Sequence, residues 1–195
     1  MIEDRYEIRL SGSGGQGIIM AAIVLAEAAG VYQGKYVCQT QSYGPEVRGG
    51  ASMAEVVISR NPIDYPKAIQ PDLILAMNQV SCDIYFRDLK LEGLLIVDAT
   101  LVQQIPTQRA VAIPFTEMAK QETGKEVAAN MVAMGAVGYL SGAVSPKALE
   151  TALTGRFSKE IERINRKALR AGIRAAQKID LKGLPRYAMV EEEEV

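Results

Sequence analysis

The sequence has no histidine and no tryptophan, and only two cysteines and three phenylalanines among its 195 residues. Without histidine, Ser-His-Asp and Cys-His pairs are excluded, and the commonest general base is missing. Cys38 and Cys82 are too far apart in sequence to form a C-x-x-C pair. Two cysteines cannot complete a zinc site built from four thiolate or imidazole ligands, nor the four thiolates of an iron–sulfur cluster. No metal site is therefore expected in this chain, and no catalytic residue is assigned. Two reduced thiols suit a reducing cytoplasm, which is the expected location. Neither sign of charge is in excess, with 22 basic and 23 acidic residues and a net charge of −1, so no field recruits nucleic acid.

A leader peptide is not expected either, because "MIEDRYEIRL" mixes charged and apolar residues from the start. One stretch, "VAANMVAMGAVGYLSGAV" (Val127 to Val144), is uncharged for 18 residues, the lower edge of a membrane span. It is rich in Ala and Gly, contains Asn130 and Ser141, and lacks flanking aromatic belts. A buried helix of a globular domain is the expectation, with no membrane contact.

What is present reads as alternating strands and helices. Tyr6 to Ser11 alternate like a strand and run into four glycines within Gly12 to Gly17. A helix over Gly15 to Ala29 follows, with Ile18, Ile19, Ala22, Leu25 and Ala26 on its buried side. "YVCQTQ" from Tyr36 completes a β-α-β unit. "SYGPEVRGG" is a loop, and Ala51 to Ser59 a further strand. The continuous apolar runs Asp72 to Asn78 and Leu94 to Thr100 fit strands covered on both faces, with a helix over Val80 to Leu89 between them. Arg109 to Pro114 is a short strand. After the apolar helix, Ser145-Pro146 starts another that Gly155 stops. Phe157, Ile161, Ile164, Ala168, Ala171, Ala175 and Ile179 recur at helical spacing opposite a basic face from Arg156 to Lys178. The fold class is α/β: a three-layer, Rossmann-like domain with a largely parallel sheet and a helical C-terminal third. A single domain over residues 1–182 and an acidic tail over residues 183–195 are expected.

Gly12, Ser13, Gly14, Gly15, Gln16 and Gly17 are the candidate ligand-binding residues. Gly12, Gly14 and Gly17 match G-x-G-x-x-G directly after a strand and at the opening of a helix. Glycine permits close backbone approach, and free N–H groups at the helix start attract an anion. The same loop also serves strand–helix packing alone, so both readings stand. A nicotinamide dinucleotide needs an acid at the end of the second strand, and "CQTQSYG" has none before Glu46. No Lys-Ser or Lys-Thr follows the loop, so it is not a P-loop.

"SGSGGQGI" together with "QTQSYGPEVRGGASMAEVVIS" resembles the gamma subunit of 2-oxoacid:ferredoxin oxidoreductases, most of all the 2-oxoglutarate type. "DYPKAIQPDLILAMNQ", "LLIVDAT" and "NMVAMGAVGYL" extend the resemblance from about Ile8 to about Ile179. It implies a chain within a complex that converts 2-oxoacid, coenzyme A and oxidised ferredoxin to acyl-CoA, carbon dioxide and reduced ferredoxin. It places thiamine diphosphate, Mg and iron–sulfur clusters in partner subunits: alpha, beta and, in some complexes, a ferredoxin-like delta. This chain agrees in lacking a thiamine motif and a cysteine cluster. It then supports assembly, with coenzyme A as the ligand for the glycine loop and no tightly bound cofactor of its own. A stand-alone nucleotide-binding oxidoreductase, a pyruvate-, 2-oxoisovalerate- or indolepyruvate-type gamma subunit, and a scaffold with purely packing glycines are the alternatives.

Ser42, Tyr43, Gly44, Pro45, Glu46, Arg48, Gly49 and Gly50 are the candidate subunit interface. In an extended loop Glu46 and Arg48 point to one side, and the planar fork of Arg48 suits a partner carboxylate or a coenzyme phosphate. Self-association through this loop is expected when the partner is absent. Asn78 and Asp98 fall at the carboxyl ends of strands, the ligand-binding edge of an open α/β sheet, although capping is the commoner use of such residues. Asn130 is expected to cap or to bridge helices, and Gly135, Gly138 and Gly142 to let helices pack closely. The basic C-terminal helix reads as a solvated face in preference to a dock for an acidic partner.

Overall fold

The computed structural model describes residues 4–42 and 51–188. In chain order the elements are β1 (Arg5–Ser13), α1 (Ile18–Gly30), β2 (Tyr36–Ser42), β3 (Ala51–Ser59), β4 (Leu73–Ala76), α2 (Gln79–Tyr85), β5 (Leu94–Asp98), β6 (Ala110–Ile113), α3 (Phe115–Thr123), α4 (Ala129–Ser141), α5 (Pro146–Ala152) and α6 (Lys159–Ala176). The strands form one six-stranded sheet of order β2-β3-β1-β4-β5-β6. β1, β4, β5 and β6 pair in parallel, whereas β3 runs antiparallel to both β1 and β2. The β-α-β unit of the sequence reading is therefore spread: β1 and β2 point the same way, but β3 is inserted between them.

Strand periodicity accounts for the two layers around the sheet. Ile8, Leu10, Leu73, Leu75, Leu94 and Ile96 face the main core, where α1, α3, α4, α5 and α6 cover them. Ile74, Ala76, Leu95 and Val97 face the opposite side, against Cys82 and Phe86 at α2. The helix α1 begins at Ile18, three residues after the sequence reading places it, because Gly15 and Gly17 take positive φ of 88° and 71° and break helical geometry. Its buried residues are Ile18, Ala21, Ala22, Val24, Leu25, Ala28 and Ala29, while the expected Ile19 and Ala26 are half-buried. α3 has no counterpart in the sequence reading. Its apolar content is low, and Phe115 and Ala119 are its only buried residues.

The uncharged segment is the buried helix α4, with every residue from Ala129 to Gly138 buried. Among the described residues, no helix is long and apolar enough to cross a membrane. α4 crosses α6 through glycine on both sides. A Cβ on Gly172 would overlap the Val132 carbonyl oxygen, and one on Gly135 would overlap the Leu169 carbonyl oxygen. Gly138 packs against the Leu149 side chain. Gly142 departs from the packing expectation: it ends α4 in the left-handed region at φ 60°, with open space around it. On α6 the buried face is Asn165, Ala168, Leu169, Ala171, Gly172, Ile173 and Ala176. Ile161, expected inside, is 46% exposed. The basic face is laced with carboxylates, Arg156 to Glu27, Arg166 to Glu162, Arg170 to Glu150 and Arg174 to Glu122, as a solvated face would be.

Residues 184–188 are tied back to the body. The Arg109 guanidinium donates to the Pro185 carbonyl at 2.6 Å, and the Ala188 N–H donates to the Leu91 carbonyl at 2.7 Å. The acidic residues of the C-terminal stretch lie outside the described residues.

Candidate functional site

The carboxyl edge of the sheet gathers most of the residues singled out from sequence. β1 runs through Gly12 to Ser13, whose pairing partners Ser52 and Ala51 begin β3. β2 ends at Ser42, paired with Met53. The glycine loop therefore follows a strand end paired with the start of β3, and the end of β2 lies one strand further out. Ser42 is half-buried. Tyr43, Gly44, Pro45, Glu46, Arg48, Gly49 and Gly50 lie outside the described residues.

The glycines of the loop differ in what requires them. A Cβ on Gly12 would come within 2.6 Å of Gln16 Oε1 and 3.1 Å of the Ile18 side chain. Gly15 and Gly17 are needed for their left-handed backbone, and a Cβ on Gly17 would also overlap the Asn130 carboxamide. Gly14 has neither reason. Its φ is not positive, and a Cβ there would meet nothing within 4 Å. It stands on an exposed rim between Ser13 and Gly15, which are also exposed.

The loop is braced from inside. Gln16 Oε1 accepts the Ser13 N–H at 2.7 Å, and Gln16 Nε2 donates to the Met77 carbonyl at 3.2 Å. Gln16, one of the six candidate ligand residues, thus has its amide committed to the loop and to the end of β4. Asn130 reaches from α4 to donate to the Gly17 carbonyl at 3.1 Å, the interhelical bond expected of it. No side chain caps α1, and its first turn carries no acid. Its leading N–H groups, which have no partner within a helix, leave a positive end next to Gly14.

Asn78 and Asp98 are structural at this edge. Asn78 caps α2, its Oδ1 accepting the Ser81 N–H at 2.8 Å. Asp98 is fully buried. Its Oδ1 accepts from the Thr100 N–H at 3.0 Å, and its Oδ2 from the Thr116 N–H at 3.2 Å and Thr116 Oγ1 at 2.5 Å. It holds the start of α3 against the end of β5, the capping use that its position suggests most often.

The sequence reading passes over a charged cluster under β1 and β3. Arg9 and Glu55 are both buried and joined at 2.8 Å, and Arg9 also pairs with Asp88 and lies over the Tyr85 ring at 5.5 Å. Glu55 Oε2 accepts the Ala68 N–H at 3.3 Å. Glu7 takes the Ile69 and Gln70 N–H groups at 2.7 and 3.0 Å. These carboxylates anchor the 60–72 segment over the sheet. The available signal was cross-strand complementarity, because Arg9 and Glu55 are direct partners in the β1–β3 register. Cys82 is buried in α2, and burial pushes its thiol up to about 11. Cys38 lies on β2 and is half-exposed. Among the described residues, no group of three or more His, Cys, Asp or Glu side chains is placed to hold a metal.

Comparison with known proteins gives the same account of the chain. The family model described as pyruvate ferredoxin/flavodoxin oxidoreductase matches residues 7–175. The 2-oxoglutarate synthase subunit KorC of Methanothermobacter thermautotrophicus is 46% identical over 88% of this chain and 95% of its own length. The subunit of the same name from Methanocaldococcus jannaschii is 43% identical over 91% of this chain and 97% of its own. The crystal structure of a keto/oxoacid ferredoxin oxidoreductase gamma subunit from Geobacter sulfurreducens superposes with a TM-score of 0.80 at 44% identity, covering 89% of this chain and 99% of that one. This chain therefore belongs to the pyruvate ferredoxin/flavodoxin oxidoreductase family.

Proposed function

We infer that the chain is the gamma-type subunit of a 2-oxoglutarate:ferredoxin oxidoreductase, in which partner chains carry out the redox chemistry. The observation that carries this reading is the near full-length likeness to two KorC chains. Such a complex converts 2-oxoglutarate, coenzyme A and oxidised ferredoxin to succinyl-CoA, carbon dioxide and reduced ferredoxin. The residues present here do not fit thiamine diphosphate with Mg or an iron–sulfur cluster. The two cysteines lie on β2 and in α2, one of them buried, and there is no histidine. Those groups belong to the alpha, beta and ferredoxin-like partners.

The same inference gives the glycine loop a ligand, the phosphates of coenzyme A. Gly14 supports it, because neither backbone conformation nor internal packing explains a glycine there. The open rim allows an external group to approach the backbone, and the uncapped start of α1 offers N–H groups to an anion. Coenzyme A needs no acid at the end of β2 to hold a nicotinamide ribose. The pantetheine arm then extends toward the neighbouring subunits. The segment from Ser42 to Gly50 contacts the alpha partner, with Arg48 as its anchoring cation. The complex works in the cytoplasm, and the isolated chain is inactive.

Purification of the tagged chain from its native cells tests the subunit reading. Alpha and beta chains are expected to copurify, with Arg48→Ala reducing their yield. Recovery of the chain alone, with its own turnover, would overturn the reading.

A further inference from the structure

The six-stranded sheet ends in β2 on one side and in β6 on the other. The β6 edge is four residues long and is bounded by Arg109 and Pro114. Short edges flanked by a charge or a proline are the usual guard against strand-to-strand association. The β2 edge has no such guard. It is seven residues long, Tyr36–Ser42, without charge, proline or glycine. It pairs with β3 from end to end with no bulge, and none of its residues is buried. At its amino end, Val31, Tyr32 and Tyr36 are exposed large side chains.

The register of the sheet fixes which backbone groups point outward. In a strand the N–H and C=O of one residue point to one neighbour, and those of the next residue point to the other. The Glu7 and Ser11 carbonyls of β1 accept the Asp72 and Met77 N–H groups, on the β4 side, at 2.8 and 2.9 Å. Ile8 and Leu10 therefore face β3, opposite Val56 and Ala54. Glu55 and Val57 then face β2, opposite Thr40 and Cys38. The groups left over belong to Val37, Gln39 and Gln41, and these meet no strand. They are spaced evenly about Gln39, the centre of β2.

Such an edge is its own complement. Turned about a two-fold axis normal to the sheet, a second copy lays Gln39 against Gln39 and Val37 against Gln41, and each pair exchanges both N–H···O bonds. Cys38 then faces Thr40 in the intervening pairs, where Cα atoms stand about 4.5 Å apart. Because the strand carries no charge, no like charges meet. The exposed Tyr36 comes to lie beside Ser42 of the second copy. We propose that the chain associates with a second copy of itself through β2, antiparallel and centred on Gln39, so that the two sheets run on as one. Neither the glycine-loop ligand nor Arg48 enters this assignment.

Sedimentation of the full chain and of Gln39→Pro tests the proposal. Proline there removes an outward N–H and no bond to β3, the placement that edge strands tolerate, so the Tm should hold. One hydrogen bond is lost on each copy, and the dimer dissociation constant should rise roughly 30-fold. Gln39→Lys and Gln39→Glu should each weaken self-association. An equimolar mixture of the two should restore it, because the substituted side chains face each other across the axis. Thr40→Cys tests the register. Oxidation with diamide should join the introduced thiol to Cys38 of the second copy, both in the chain alone and in the assembled complex, and Cys38→Ser should abolish that covalent dimer. A chain that stays monomeric at every concentration overturns the proposal. So does a dimer that Gln39→Pro leaves intact and Arg48→Ala dissolves, which would place self-association in the 43–50 segment. A cross-link found in the chain alone but missing from the complex shows that a partner subunit takes the β2 edge, and overturns it as well.

Discussion

Replacing Gly14 with valine in the assembled complex separates a loop that binds from a loop that only packs. The new Cβ meets nothing within 4 Å, and the backbone at Gly14 is not left-handed. The fold should therefore change in stability by no more than about 0.5 kcal/mol, with the Tm unchanged within about 2 °C. The branched side chain does, however, occupy the space through which a phosphate would reach the backbone. Loss of one hydrogen bond to a charged group is worth about 2 kcal/mol, or roughly 30-fold in affinity. Steady-state ferredoxin reduction should accordingly show a coenzyme A KM raised about 30-fold, with the 2-oxoglutarate KM nearly unchanged. Gly17→Ala is the contrasting variant. It forces a side chain into the left-handed region at φ 71° and against the Asn130 carboxamide, whose Cγ lies 3.1 Å from the new Cβ. A destabilisation of about 2–4 kcal/mol and a Tm drop of roughly 5–15 °C are expected. A Gly14→Val complex that folds normally and keeps its coenzyme A KM would refute the loop assignment and leave the glycines to packing.

Gly172→Ala places a methyl against the Val132 carbonyl, with the Val132 carbonyl carbon at 2.8 Å, and should cost about 3 kcal/mol and about 6–12 °C in Tm; an unchanged melting curve would show that α4 and α6 can separate freely. With a chromogenic disulfide reagent at neutral pH, the half-exposed Cys38 should react in the native protein. Cys82, buried and with its thiol pushed to about 11, should react only on unfolding, so two fast thiols in the native state would contradict the packing of α2. Arg170 donates two hydrogen bonds to Glu150, at 2.8 and 2.7 Å, and these hold the Glu150 carboxyl below its ordinary value. A depressed carboxylate stabilises the fold above its unfolded pKa and loses that contribution as pH falls through the folded one. Arg170→Met should therefore lower the Tm at pH 7 and change it less at pH 3; equal losses at both would assign the effect to packing.

Legibility in the sequence followed the strength of local patterns. The strands Leu73–Ala76 and Leu94–Asp98 stand out as short runs buried on both faces, and α5 stands out because its Ser145-Pro146 start is a local signal. Insertion of β3 between β1 and β2 depends on long-range pairing, which no window of sequence contains. The exposure of Ile161 illustrates the same limit. Periodicity places it in the apolar stripe of α6, yet it lines an open cavity with Met20 and Phe157 and stays exposed. The charge alternation at Glu7 and Arg9 looks like a solvated strand face. Only the Glu55 partner and the covering 60–72 segment make it a buried network. At the site, the G-x-G-x-x-G spacing located the loop, but not the division of labour within it. Gln16 and Asn130 brace it from inside, and Gly14 is the glycine that neither a left-handed backbone nor close packing accounts for, a distinction set by side chains that come from α4 and from the loop itself.

The most direct test of the subunit account is reconstitution. The chain is purified alone and then combined with the alpha and beta partners, and coenzyme A-dependent ferredoxin reduction is measured with 2-oxoglutarate. The account predicts no turnover by the chain alone, and turnover in the combined sample that falls away when this chain is omitted. Reduction of ferredoxin by the chain alone, or full activity of the partners without it, would contradict it.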